Sequence, residues 1–226
     1  MTIRAEVRDM RELYNLRQSV QRQRIRLSNQ LSAIERGDSP AQPELPTLFM
    51  ERFDGIEKEI DGYIAQSISE HPAWPWLEKV KGIGPALAGR LLAPIDIERA
   101  TSVSALWKYA GQGVTPAGER DKPVKGEKLS YNADLKSTCY LIATSFLRAS
   151  SQYRRFYDAK KAYYQSNRPD WTPKRIDMAA KRFMVKMFLS HLWMVWREAE
   201  GLPVTLPYAH DQLGHVDYVG PSEVIP

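Results

Sequence analysis

The sequence predicts an all-α protein in which an N-terminal antiparallel coiled-coil hairpin precedes a compact helical body. Apolar residues recur at spacings of three, four or seven over most of the chain, as amphipathic helices require. No run of alternating polar and apolar residues is long enough to mark a β-strand. Prolines and glycines cluster in the segments that connect the periodic stretches. We therefore predict an arm over residues 1–72, a body over 73–201 and an extended tail over 202–226.

Composition excludes several classes of protein. Of the 226 residues, 43% are apolar and 26% are charged, which is typical of a folded domain. No apolar run reaches the roughly 18 residues that a membrane-spanning helix needs, and no signal peptide is visible. The single cysteine, Cys139, excludes a disulfide framework and a cysteine-rich zinc site. These features favour a reducing, cytoplasmic location.

Charge is segregated along the chain. Residues 1–36 carry 8 basic and 4 acidic side chains, and residues 81–200 carry 21 and 11. Residues 37–80 carry 3 and 9, and residues 201–226 carry three acids and no Lys or Arg. Basic charge gathered in this way is typical of proteins that bind nucleic acids, although a basic solvated surface would give the same totals.

The arm is predicted from two long amphipathic segments. In the first, about 3–36, apolar residues recur every seven positions, which favours a coiled-coil seam; they are Leu13, Val20, Leu27 and Ile34. Met10 and Leu31 belong to a second heptad register, whose two intermediate positions are occupied by Arg17 and Arg24. Prolines at 40, 43 and 46 end this helix.

A second helix completes the arm and places apolar side chains on one face, namely Phe49, Phe53, Ile56, Ile60, Tyr63 and Ile64. Two such helices joined by a short connection form a hairpin that serves packing or dimerisation.

The body is predicted to be helical throughout. Ser102 caps a short helix that ends near Ala110, and a Gly-, Pro- and Lys-rich loop follows over 111–129. Further helices are expected over about 130–149 and 151–166. Thr172 and Pro173 begin the last long helix, which Gly201 ends.

The segment Lys81-Gly82-Ile83-Gly84-Pro85 lies between two apolar helical segments, a pattern typical of a helix-hairpin-helix motif. Backbone amides at the glycines and at the following helix N-terminus would form a phosphate site, and Lys81 would add charge. The alternative is a turn that needs glycine for its positive φ and binds nothing.

Other basic residues extend this candidate surface. A glycine-bearing basic loop that leads into a helix N-terminus suits a phosphate backbone or a structured RNA, although it could be a solvated loop. Aromatic and basic residues also alternate over 153–164, where half of the aromatic side chains are expected in the core. The further candidates are Lys108, Arg120, Lys122, Lys125, Gly126, Lys128, Ser130, Lys136, Arg154, Arg155, Lys160, Lys174 and Arg175.

Three segments of the chain together resemble the C-terminal half of DEDD-family insertion-sequence transposases, which are guided by a bridge RNA. They are KGIGPALAGRLLAPIDIER, SALWKYAGQGVTP and KLSYNADLK. The resemblance covers about residues 75–200 and includes TPKRIDMAAKRF. The stretch KGEKLSYNADLK is also similar to the Nop domains of RNA-binding proteins, among them the Tas proteins of tandem interspaced guide RNA systems. This likeness implies a Nop-like body, dimerisation through the coiled coil, and RNA contact at Lys125, Gly126, Lys128, Ser130 and Lys136.

Two departures from the transposase pattern argue against strand transfer. The chain opens in the coiled coil, where that family has a nuclease-like domain, and the interval 117–126 lacks the family's catalytic serine. The four histidines, at 71, 191, 210 and 215, are too dispersed for a metal site, and His191 is expected in the core.

We therefore expect a non-catalytic RNA-binding protein without a metal or cofactor. It would hold a structured guide RNA, and through it a DNA target, as a homodimer. One alternative is a transposase- or recombinase-derived DNA-binding protein of a mobile element. The other is an adaptor whose arm binds another protein.

Overall fold

The structure, a computed structural model, describes residues 3–114, 125–205 and 219–225. Helices form most of these ranges. No β-strand occurs in these ranges, which confirms the predicted all-α class. No helix in them combines the length and the apolar content needed to cross a membrane. The helices are α1 (Ile3–Glu35), α2 (Glu44–Ser69), α3 (Trp74–Leu77), α4 (Pro85–Leu92), α5 (Val103–Tyr109), α6 (Ala133–Arg148), α7 (Arg154–Asn167), α8 (Pro173–Ala199) and α9 (Pro221–Val224).

The chain divides into two compact units, the arm at Met1–Glu70 and the body at His71–Pro226. In the arm, Arg17 of α1 contacts Asp61 of α2, and Arg24 contacts Glu57. The partner on α2 moves backward along the chain as α1 moves forward, so the two helices run antiparallel.

The seam of the arm differs from the heptad that the sequence suggested. Met10 and Tyr14 are buried in α1, whereas Leu13 and Val20 are only half-buried. Arg17, which interrupts the heptad in the sequence, instead faces the acidic residues of α2. Polar side chains therefore occupy the middle of the seam.

The apolar residues that the sequence places on one face of α2 are only partly buried. Ile60 and Ile64 are buried, but Phe49, Ile56 and Tyr63 are exposed. Residues 49, 56 and 63 follow a row beside the buried one, because seven residues make just under two full helical turns.

An ionic network crosses the arm at the acidic positions of α2. Arg17 donates two hydrogen bonds to Asp61, from Nε to Oδ1 at 3.0 Å and from Nη2 to Oδ2 at 3.1 Å. Arg24 Nε donates to Glu57 Oε1 at 2.7 Å, and Glu57 is only 4% exposed. The hydrogen bond with Asp61 is the main reason why the pKa of Arg17 is raised. These pairs compensate the charges that interrupt the apolar seam.

Capping residues set the ends of the body helices. Ser102 Oγ accepts a hydrogen bond from the Ala105 amide at 3.1 Å, and Thr172 Oγ1 accepts one from the Arg175 amide at 3.3 Å. Both helix starts agree with the sequence. The helix expected from residue 130 begins later, since Asn132 is its N-cap.

The C-terminal end of α8 also agrees with the sequence, since Gly201 adopts a φ of 65° just beyond the helix. The tail is not wholly extended, because α9 forms a helical turn.

The centre of the body is the second half of α8, where residues 188–193 are all buried. Phe188 packs edge-on against Phe146 and Tyr153, with ring centroids 5.1 and 5.3 Å away. Trp76 stacks against the same ring at 5.9 Å. Aromatic side chains from three other parts of the body therefore meet at the Phe188 ring of α8.

Buried polar groups of α8 find partners on other segments. Tyr153 Oη lies 2.7 Å from His191 Nδ1, and His191 Nε2 lies 2.9 Å from the Val219 carbonyl. Burial lowers the pKa of His191 to about 4, so the ring is neutral near pH 7. Trp193 Nε1 donates to the Ala100 carbonyl at 2.6 Å, as a buried indole requires. His191 is thus a core residue, as expected.

Replacing Glu57 with alanine removes the hydrogen-bond acceptor of Arg24 and the ion pair with Arg17 Nη2 at 3.6 Å, whereas Arg17 keeps its bonds to Asp61. We therefore expect the free energy of unfolding to fall by about 2–3 kcal/mol. Lys58→Ala removes an exposed pair with Asp54 on the same helix and should change stability little. Urea unfolding of the full chain, followed by circular dichroism, measures both. Equal effects of the two substitutions would contradict a structural role for the Glu57 network.

Candidate functional site

A cleft of about 770 Å³ opens between α6, the first half of α8 and the segment at Gly111 and Gln112. Its wall is apolar where Cys139, Met178 and Val185 lie. None of its described lining residues is acidic, whereas five are basic, namely Lys136, Lys174, Arg175, Lys181 and Arg182. The cleft therefore suits an anionic ligand that also has an apolar part.

Helical spacing brings these cations together. Residues 175, 178, 182 and 185 of α8 recur at intervals of three and four, which places them on one face. Residues 136, 139, 140 and 143 of α6 do the same on the opposite wall. Residues about 40 positions apart in the sequence therefore lie on opposite walls of the same cleft.

Two of the cations occupy an unfavourable place on α8. Lys174 and Arg175 lie in the first turn of the helix, which contains no acidic residue. The positive end of the helix dipole repels cations there. Both side chains are exposed, and neither forms an ion pair with a carboxylate of the described chain. An anion bound at this position would relieve the repulsion.

The other cations of the cleft are held by neighbours. Lys181 Nζ pairs with Asp177 Oδ2 at 2.8 Å. Arg182 donates to the carbonyl oxygens of Gln112 and Gly113, which ties α8 to the segment after α5. Lys136 Nζ lies 3.9 Å from the centroid of the Tyr131 ring. These contacts orient positive groups before any ligand arrives.

Lys186 lies one turn beyond Arg182 on α8. Burial, followed by the charge of Arg182, lowers its pKa to about 8. Its ammonium lies 3.9 Å from the centroid of the Trp107 ring, whose indole nitrogen donates to the Lys186 carbonyl at 3.0 Å. The lowered pKa therefore reflects mainly the burial of Lys186, with the nearby charge of Arg182 as a smaller cause.

A second cleft, of about 430 Å³, shares Trp171 with the first. Arg175, which lines the first cleft, places its guanidinium 4.3 Å from the Trp171 ring centroid. Arg168, which lines the second, lies 5.8 Å from it. Tyr164 packs on the same indole at 5.1 Å. Trp171 is therefore an aromatic ridge between two clefts, with an arginine in each.

The turn before α4 requires glycine at position 82, whether or not a ligand binds there. The φ of Gly82 is 95°, and Ser145 Oγ donates to its carbonyl at 2.7 Å. A Cβ there would lie 3.1 Å from Ser145 Oγ and 3.3 Å from Ala149 Cβ. The Lys81 amide is also engaged, since it donates to Gln152 Oε1 at 3.1 Å.

Gly84 differs from Gly82. It is the exposed, extended N-cap of α4 and makes no side-chain cap, and a Cβ added there would have nothing within 4 Å. The amides that could meet a phosphate are therefore at Gly84 and the first turn of α4, beside the exposed side chain of Lys81.

Of the remaining candidates that the structure describes, only Lys136, Lys174 and Arg175 line the large cleft. Lys108 is exposed at the end of α5. Exposed positions also hold Lys125, Gly126, Lys128 and Ser130, in the segment that leads to α6. Arg120 and Lys122 lie outside the described residues.

Of the basic residues of α7, the candidates Arg154, Arg155 and Lys160 line neither cleft, whereas Lys161 lines the second. Arg154 pairs with Asp158 at 3.4 Å, and Arg155 lies 5.0 Å from the Phe156 ring centroid. Lys160 lies between two rings, 4.8 Å from Tyr163 and 4.7 Å from Phe183.

Among the lining residues that the sequence did not single out are Tyr140, Trp171, Lys181 and Arg182. The three- and four-residue spacing after Arg175 could have pointed to Arg182. Nothing local in the sequence pairs α8 with Tyr140 of α6, because that depends on how the two helices pack.

Comparison with models of protein families gives no match, and no curated protein sequence is significantly similar to the chain. Among the described residues, no three His, Cys, Asp or Glu side chains lie close enough together to hold a metal ion. The arrangement of the clefts is therefore the basis for assigning a function.

Gly82→Ala forces a positive φ on a residue with a side chain, so we expect it to lower the free energy of unfolding by about 1–3 kcal/mol. Gly84→Ala should be tolerated, because the site is extended and open. Thermal unfolding of both variants tests this difference. Similar melting temperatures for the two variants would mean that Gly82 is not required by the turn.

Proposed function

We propose that this chain is a non-catalytic RNA-binding protein that holds a structured guide RNA, and through it a DNA target, as a homodimer. The observation that carries the proposal is the large cleft, whose described lining has five cations, no carboxylate and a tryptophan at its edge. The resemblance of KGEKLSYNADLK to Nop domains supports it further, because this stretch leads into the wall that carries Lys136.

The chemistry of the cleft suits RNA with unpaired nucleotides. Ammonium and guanidinium groups bind phosphates through charge-assisted hydrogen bonds. Unpaired bases stack on aromatic rings and on arginine side chains, whereas the bases of a duplex are hidden. Trp171 and Arg175 lie together at the edge of the cleft and offer both kinds of contact.

The side chains in the cleft support binding more than nucleophilic chemistry. Burial raises the pKa of the Cys139 thiol to about 12, so this thiol is protonated at neutral pH. The cations are arranged around an apolar wall and can orient a strand without reacting with it.

Purification from cells that co-express the flanking genomic DNA, followed by sequencing of the bound nucleic acid, tests the proposal. We expect a discrete small RNA, which the double substitution Lys174→Glu with Arg175→Glu releases. Affinity for that RNA should fall at least about 30-fold, and the dependence of log K on log salt should weaken by about 2. The matched control reverses two exposed charges on α1, with Arg22→Glu and Arg26→Glu.

Two results would contradict this proposal. Wild-type protein that carries no nucleic acid in low salt would exclude RNA binding. A discrete DNA in place of RNA would favour the alternative, a DNA-binding protein derived from a transposase.

Trp171→Ala should weaken binding of unpaired RNA by about tenfold and leave fully paired RNA nearly unaffected, because only unpaired bases stack on the ridge. Trp171→Phe keeps an aromatic face for the base and for Arg175 and should retain most of the affinity. Fluorescence anisotropy with single-stranded and duplex oligonucleotides measures both. An equal loss for the two kinds of RNA would mean that Trp171 only positions Arg175.

A further inference from the structure

One face of α2 exposes more apolar surface than a solvated helix needs. Five large side chains on it, which we call the α2 stripe, are 41–66% exposed: Leu45, Leu48, Phe49, Ile56 and Tyr63. They span residues 45–63, about 27 Å of helix. Exposed apolar side chains grouped on one helix face mark interaction surfaces more often than apolar residues exposed singly.

Two glycines lie beside the stripe. Gly55 and Gly62 are within α2, where glycine is unfavourable, and nothing lies within 4 Å of a Cβ at either position. No packing contact within the described chain therefore explains them. Helices can approach each other closely where such residues lie at the contact.

The charges on this face are arranged symmetrically. Phe49 and Tyr63 are each seven residues from Ile56. Arg52 precedes Ile56 by four residues and Glu59 follows it by three, so both lie between the apolar residues of the same face. Both side chains are exposed, and neither forms an ion pair with another described residue.

We propose that the α2 stripe binds the same stripe of a second copy of this chain, antiparallel about a two-fold axis at Ile56. In that arrangement Ile56 meets the partner's Ile56, and Phe49 meets the partner's Tyr63. Arg52 then lies beside the partner's Glu59, and the reverse pair forms on the other side of the axis. The two hairpins together form a four-helix bundle.

We infer a second copy as the occupant because Phe49 and Tyr63, and likewise Arg52 and Glu59, lie at nearly equal distances on either side of Ile56. An unrelated partner would not require the near-equal spacing of Phe49 and Tyr63, or of Arg52 and Glu59, about Ile56. The interface also differs from the one that the heptad of α1 suggested, since that heptad is half-buried within the hairpin. This inference does not depend on RNA binding.

Cysteine crosslinking tests the position of the axis. Ile56→Cys places two thiols face to face, so the full chain, freed of nucleic acid, should form a covalent dimer on mild oxidation or with a short bismaleimide. Lys58→Cys, exposed on the opposite side of α2, is the matched control and should remain monomeric on denaturing gels. The native Cys139 is buried and contributes little. Equal crosslinking of the two variants, or none with Ile56→Cys, would overturn the proposal.

Charge exchange tests the register in the unlinked protein. Arg52→Glu or Glu59→Arg alone juxtaposes like charges twice per dimer and should raise the dimer dissociation constant about tenfold. The double variant should restore the wild-type value, because the pairs re-form with opposite sign. Sedimentation equilibrium without RNA measures each constant. The interface would be overturned if the wild type is monomeric at tens of micromolar, or if the double variant dimerises more weakly than either single variant. Either result would count whatever the RNA experiments show.

Discussion

Burial of the second half of α8 is the constraint on which the body depends. Residues 188–193 are surrounded on every side, so their polar groups must find partners in the protein. His191 meets Tyr153 and the Val219 carbonyl, Trp193 meets the Ala100 carbonyl, and Arg197 Nη1 donates to the Ile97 carbonyl at 2.8 Å. An unsatisfied buried donor would cost about 1–3 kcal/mol. These bonds therefore fix the connecting segments as well as the helix.

A rigid α8 explains how the candidate cleft is positioned. Its buried half is anchored in the core, while its first half carries Lys174, Arg175 and Arg182 along one wall. The two cations at the helix N-terminus oppose the helix dipole and lower stability locally. Unfavourable charge of this kind, kept on a rigid element, is typical of binding sites, where a ligand supplies the missing opposite charge.

The arm combines an apolar seam that is interrupted by ion pairs with an exposed apolar row on α2. Glu57 is nearly inaccessible and joins Arg17 and Arg24, so slipping the register would leave buried charges unpaired. Buried ion pairs contribute less to stability than an apolar seam would, and here they define the antiparallel pairing. Apolar side chains such as Ile60 and Ile64 are buried in the hairpin, and a second apolar row of α2 stays exposed as the α2 stripe.

The sequence by itself determined the long helices and several of their ends, because caps such as Ser102, Thr172 and Gly201 act through bonds within a few residues. It also located three of the cations that line the cleft. Tertiary structure decided which row of α2 is buried, since two neighbouring rows are both apolar. It decided that Arg17 faces Asp61, 44 residues away, and that Lys136 and Arg175 share one cleft with Trp171. Such pairings depend on how whole helices pack, and local periodicity does not encode them.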